Sequence, residues 1–120
     1  MNFVYCKNEE QIKKLLDFRQ DSRVYFSVIS ELAQLERAVQ DNLKYLVCVY
    51  INEDEEQVDE MIEVFTFLKK IKVKKYLALY STNDIITRKF EKAVHEIINE
   101  PFLPRRLAQI FKAAHYALQK

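Results

Sequence analysis

The sequence predicts one α/β domain built on a mostly parallel sheet. Three observations carry this. Short runs rich in β-branched and aromatic residues alternate with segments of helical period, as expected of repeated βαβ units. One run, Tyr45 to Ile51, is nearly continuous in apolar character, as suits a central strand covered on both faces. The chain has 120 residues, the usual size of a single domain with its own core. No linker, repeat or low-complexity segment divides it.

Five strand–helix pairs follow in order. Phe3-Val4-Tyr5-Cys6 precedes a helix from about Glu9, with Ile12, Leu15 and Leu16 on its apolar face. Val24 to Ile29 forms the second strand, and Ser30 caps a helix that turns Leu32, Leu35, Ala38 and Val39 inward. After the third strand, the acidic run Glu53-Asp54-Glu55-Glu56 opens a helix, where negative charge suits the N-terminal dipole. Val58, Met61, Ile62, Phe65 and Leu68 are its apolar stripe, and Lys69, Lys70, Lys72, Lys74 and Lys75 surround its far end. The fourth strand is Tyr76 to Tyr80. Ser81, Thr82 and Asn83 offer a cap to a helix striped by Ile86, Phe90, Ala93 and Val94. Glu96 to Asn99 is a short fifth strand. The last helix begins near Pro104, a residue tolerated in a first turn, with Leu107, Ile110, Phe111, Ala114 and Leu118 inward.

Composition narrows the function. A net charge of +1 argues against general nucleic-acid binding. No apolar run approaches a membrane span, and Met1-Asn2-Phe3-Val4 lacks the layout of a signal peptide, so a cytoplasmic protein is expected. The glycine count is zero, which excludes P-loops and dinucleotide fingerprints, since these need backbone that approaches phosphate closely or adopts positive φ. Cys6 and Cys48 sit in apolar runs and read as buried thiols, not as a disulfide or zinc pair. No cofactor is implied.

The closing segment Ile97-Ile98-Asn99-Glu100-Pro101-Phe102, followed by Leu103-Pro104-Arg105-Arg106-Leu107, resembles the end of the receiver domains of two-component response regulators, where an apolar strand, Lys-Pro-Phe and a final helix recur. With five βα pairs in the same order, the resemblance covers the chain. It implies a flavodoxin-like sheet of order 2-1-3-4-5, with function at the C-terminal strand edge.

The resemblance also implies a degenerate phosphorylation site. The phosphoacceptor Asp of the family falls on Tyr50, with Ile51 and Asn52 the next positions, and a phenol forms no acyl phosphate. The acidic pair that holds Mg²⁺ is replaced by Cys6-Lys7-Asn8, with Glu9 and Glu10 read as serving the helix start. Glu100 stands where the family's lysine meets the phosphoryl group. On an illustrative scale, two unit charges about 4 Å apart interact by roughly 4 kcal/mol at a dielectric of 20, so the sign change matters. Ser81 matches the family's hydroxyl and serves equally as a helix cap, while Ile97 replaces the aromatic residue of the switch.

The expected function is therefore that of a phosphorylation-independent signalling module, not an enzyme, acting on a protein partner or by dimerisation. The face formed by the fourth helix, fifth strand and fifth helix supplies Arg88, Lys89, Lys92, Arg105, Arg106 and Tyr116. Two local expectations accompany this reading: an ion pair between Lys7 and Glu100, contributing ~1 kcal/mol or less, and a cis Glu100–Pro101 bond. The competing reading is a phosphoryl carrier on Cys6, or a metal site on the acidic run from Glu53. Against it, Glu9 and Glu10 disfavour a thiolate, and consecutive acids on a helix point in different directions.

Overall fold

The computed structural model describes residues 1–39, 43–53 and 58–119. Its strands are β1 (Asn2–Cys6), β2 (Ser27–Ile29), β3 (Tyr45–Asn52), β4 (Lys74–Ser81) and β5 (Glu96–Ile98), and its helices are α1 (Glu9–Ser22), α2 (Leu32–Val39), α3 (Val58–Lys70), α4 (Asp84–Phe90) and α5 (Arg106–Leu118). The five strands form one parallel sheet in the order 2-1-3-4-5, a flavodoxin-like α/β arrangement.

Alternation along the strands sorts the core into two layers. Phe3, Tyr5, Cys48, Tyr50, Leu77 and Leu79 face α2, α3 and α4. Val4, Cys6, Val47, Val49, Ile51 and Ala78 face α1 and α5. β3 is buried from Leu46 to Asn52, as its unbroken apolar run predicts. Phe102, just after the Pro-Phe corner, is buried in the α1/α5 layer against the ring of Tyr80, 5.8 Å between centroids.

Several local expectations are corrected. β2 spans only Ser27–Ile29 because its register pairs Phe3 with Ser27, and β1 begins at Asn2, leaving residues 24 and 25 without a strand to pair with. On α1 the buried positions are Gln11 and Leu15, while Leu16 is 39% exposed. On α3 the buried set is Met61, Val64, Phe65 and Leu68, and Ile62 is 40% exposed. In both helices the exposed residue immediately follows or precedes a buried one and so lies about 100° around the axis from it. Ser30 does not cap α2; Gln34 Oε1 reaches back to accept from the backbone N–H groups of Ser30, at 2.7 Å, and Glu31, at 3.1 Å. This is the return half of a capping box.

Asn83 caps α4, its side chain accepting from the Ile85 N–H at 2.8 Å. The helix ends at Phe90 and passes into a 3-10 turn, Glu91–Ala93, which carries Ala93 off the apolar stripe into solvent. Ser81 supports that cap, its Oγ accepting from the Asn83 N–H at 3.1 Å. β5 stops at Ile98, and Pro104–Arg105 form a turn before α5. Of the lysines at the end of α3, Lys75 donates to the carbonyls of Leu68 and, at 2.8 Å, Ile71, so one cation closes the helix C-terminus directly.

The Glu100–Pro101 bond is trans, since no cis peptide occurs among the described residues. Glu100 and Pro101 both lie in solvent, so no packing opposes the trans preference of about 0.5–1 kcal/mol.

Candidate functional site at the carboxyl edge of the sheet

The edge is assembled from the ends of three neighbouring strands. Register places Cys6 beside Ile51, and Asn52 beside Ser81. Tyr50 is not at this edge. It is fully buried, stacked on Tyr5 at 4.6 Å between centroids and 9° between planes, and tilted against Phe65. Burial holds both phenols well above their ordinary range, with the carboxylate of Glu60 acting in the same direction. Among the described residues the Tyr50 hydroxyl has no hydrogen-bond partner.

The last residue of β3 is Asn52, 1% exposed, whose side-chain amide lies against Met61 Sδ beneath α3. The position that closes the central strand is therefore an amide turned inward, not a carboxylate turned outward. Glu53, the next residue, is exposed and accepts a hydrogen bond from Gln11 Nε2 at 2.9 Å. Asp54, Glu55 and Glu56, the remainder of the acidic run, lie outside the described residues. Among the described residues no three His, Cys, Asp or Glu side chains are grouped to hold a metal ion.

Lys7 finds a different partner from the one expected. Its Nζ lies 2.6 Å from Glu60 Oε2, while the other oxygen of Glu60 accepts from the Tyr5 hydroxyl. Glu100 is exposed. Strand order gives the reason: β1 and β5 are separated by three strand spacings, roughly 14 Å at about 4.8 Å each, whereas the first turn of α3 brings Glu60 to Tyr5 of β1 and Met61 to Asn52 of β3. A chain of contacts thus runs from the edge into the core, Lys7 to Glu60 to Tyr5 to Tyr50.

Cys6 faces the opposite layer. Its Sγ donates to the Asn8 carbonyl at 3.8 Å, and burial pushes the thiol up to about 11, with the Asn8 contact lowering it and the charge of Glu53 raising it. A thiol held there is protonated at neutral pH, which suits a packing residue and not a nucleophile. Asn8 caps α1 by accepting from the Gln11 N–H at 3.0 Å, and Glu9 and Glu10 are exposed in its first turn.

The six candidate surface residues do not form one patch. Arg88, Lys89 and Lys92 are exposed on α4 and the turn after it. Arg106 is drawn back toward Glu96, at 3.9 Å, and Gln109, at 2.6 Å. Arg105 borders a hollow with Phe18, Leu103 and Pro104, while Tyr116, 67% exposed, borders another with Gln109, Lys112 and His115 on α5. Lys89 and Lys92 line a third with Phe65 and Leu77.

Glu60 and Gln11 are the edge residues that sequence reasoning missed. Glu60 lies one turn before the buried Val64 of α3, and Gln11 lies one turn before Leu15, so each stands at a helical position that faces the sheet. Their polarity hid them. No helix among the described residues is long and apolar enough to cross a membrane. Comparison of the chain with protein-family models, with curated proteins and with solved structures finds no match.

Proposed function

We propose that this domain is a receiver-like signalling module that takes up no phosphoryl group and acts by binding a protein partner through a fixed surface. One observation carries the reading: β3 ends on the buried amide of Asn52, and the ring two positions earlier is locked in the core. A receiver that switches needs an accessible carboxylate at that strand end, and an amide cannot accept phosphoryl to form an acyl phosphate. The surrounding groups agree in sign. Lys7 stands where acidic metal ligands belong, and its charge is already committed to Glu60. Among the described residues this edge has the parts of a brace, Lys7 tied to Glu60 and Asn52 turned inward.

The binding role rests on what remains exposed. The exposed cations Arg88, Lys89 and Lys92 of α4 and its turn project to solvent, and charged groups on a surface steer and select partners. A signalling, two-component context follows from the receiver resemblance alone. The test is intact-mass spectrometry after incubation with acetyl phosphate and Mg²⁺, together with thermal melting in beryllofluoride. The expected results are an unchanged mass and an unchanged melting temperature. A Mg²⁺-dependent adduct would overturn the reading and direct attention to Glu53, the described carboxylate nearest the end of β3.

A further inference from the structure

The lysines at the end of α3 do more than close that helix. Lys69 of α3, Lys75 of β4, and Lys89 and Lys92 from α4 and its turn converge on a cleft of about 380 Å³ whose deep surface is formed by Phe65 and Leu77. Phe65 is 7% and Leu77 4% exposed, so the cleft descends to the core. No carboxylate lines it, and none of the four lysines forms a salt bridge among the described residues.

Helix dipoles do not account for this charge. The C-terminal ends of α3 and α4 present about half a negative charge each, roughly one in all, against four ammonium groups. Lys75 is fixed by the carbonyls of Leu68 and Ile71, and the other three lysines are on other positions of the rim. His95 at the margin is fixed as well. Its Nδ1 accepts from the Leu77 N–H at 3.0 Å, and its ring stacks on Tyr76, so the wall is preorganised. An apolar floor ringed by cations without a carboxylate partner among the described residues is complementary to one kind of ligand: a large apolar side chain flanked by acids.

We infer that the cleft between α3, β4 and α4 docks an acidic segment of a partner protein, which inserts one aromatic or large aliphatic side chain against Phe65 and Leu77 while its carboxylates meet Lys69, Lys75, Lys89 and Lys92. A peptide fits better than a small anion because the four charges surround the floor, and a chain with acids on both sides of its anchor engages them together. This rests on the binding-module reading and names its partner's chemistry and its surface.

The test is selection of displayed random dodecapeptides on the immobilised full chain, followed by anisotropy titration of the enriched peptides carrying a dye. The expected peptides are acidic around an aromatic or large aliphatic residue. Their affinity falls about tenfold or more in the Lys89→Glu/Lys92→Glu variant. It falls by a smaller factor in Lys89→Gln/Lys92→Gln, which removes charge without placing acids near a helix end. It stays within about twofold in Lys112→Glu on α5, a surface change remote from the cleft. Melting curves of the variants establish that they are folded. Enrichment without acids, equal affinity in the charge-reversed variant, or no enrichment would overturn the docking site. A phosphoryl adduct strikes the inert-module reading instead, so the two failures are distinguishable.

Discussion

Tyr5 and Tyr50 are neighbours of the same type, stacked ring on ring, yet their hydroxyls have opposite circumstances. Tyr5 donates to the carboxylate of Glu60, whereas Tyr50 is buried with its hydroxyl unpartnered among the described residues. A buried polar group without a partner keeps its desolvation cost, about 1–3 kcal/mol, and returns nothing. Tyr50→Phe is therefore expected to leave stability unchanged or raise it by up to about 1 kcal/mol, while Tyr5→Phe lowers it by about 1.5–3 kcal/mol through loss of a hydrogen bond to a charged group. Urea unfolding of the two variants measures the contrast. Equal losses would mean that the Tyr50 hydroxyl has a partner of its own.

At the scale of elements, a chain without glycine must end its helices by other means. Among the described residues only Arg23, at the end of α1, has a left-handed backbone, with φ 60° and ψ 22°. That conformation costs a residue with a Cβ roughly 1–2 kcal/mol, and glycine adopts it freely at the expense of more backbone entropy in the unfolded chain. Arg23→Gly is expected to stabilise the protein by about 0.5–1 kcal/mol, read as a higher urea midpoint with an unchanged slope. A lower midpoint would show that the Arg23 side chain contributes more than its backbone costs. The same scale explains α2, where the cap comes from Gln34 inside the helix and not from the serine before it.

For the whole molecule, the ionisable groups enclosed by the two layers set its response to alkali. Burial raises the Cys6 thiol to about 11 and that of Cys48 to about 12, from an ordinary value of 9.0. Burial and the Glu96 hydrogen bond raise the Tyr76 phenol to about 12, and Tyr5 and Tyr50 shift in the same direction. Above the ordinary values the unfolded chain releases these protons while the folded chain retains them, so stability is full below pH 9 and declines as pH rises toward 12. Urea midpoints at pH 8 and pH 10.5 are expected to differ, the second being lower. A midpoint constant across that range would contradict the enclosure of these groups.

Local patterns in the chain were enough to read the class of fold and nearly every core strand, and the resemblance they carry implied the strand order 2-1-3-4-5. These follow from local patterns: alternation of period, the unbroken apolar run of β3, and the Pro-Phe corner whose Phe102 does enter the core. The residues Cys6-Lys7-Asn8, Tyr50 and Glu100, on which the proposed function draws, were likewise named from the sequence. Only the tertiary structure decided which groups meet. Lys7 pairs with Glu60 and not with Glu100 because strand order, not chain position, sets the distance between loops. Tyr50 is core and Asn52 is edge because the register against β1 and β4 fixes where β3 ends. The lysine cleft is beyond any local pattern. Its four cations come from separate elements and share a floor only after α3 and α4 have packed on one face of the sheet.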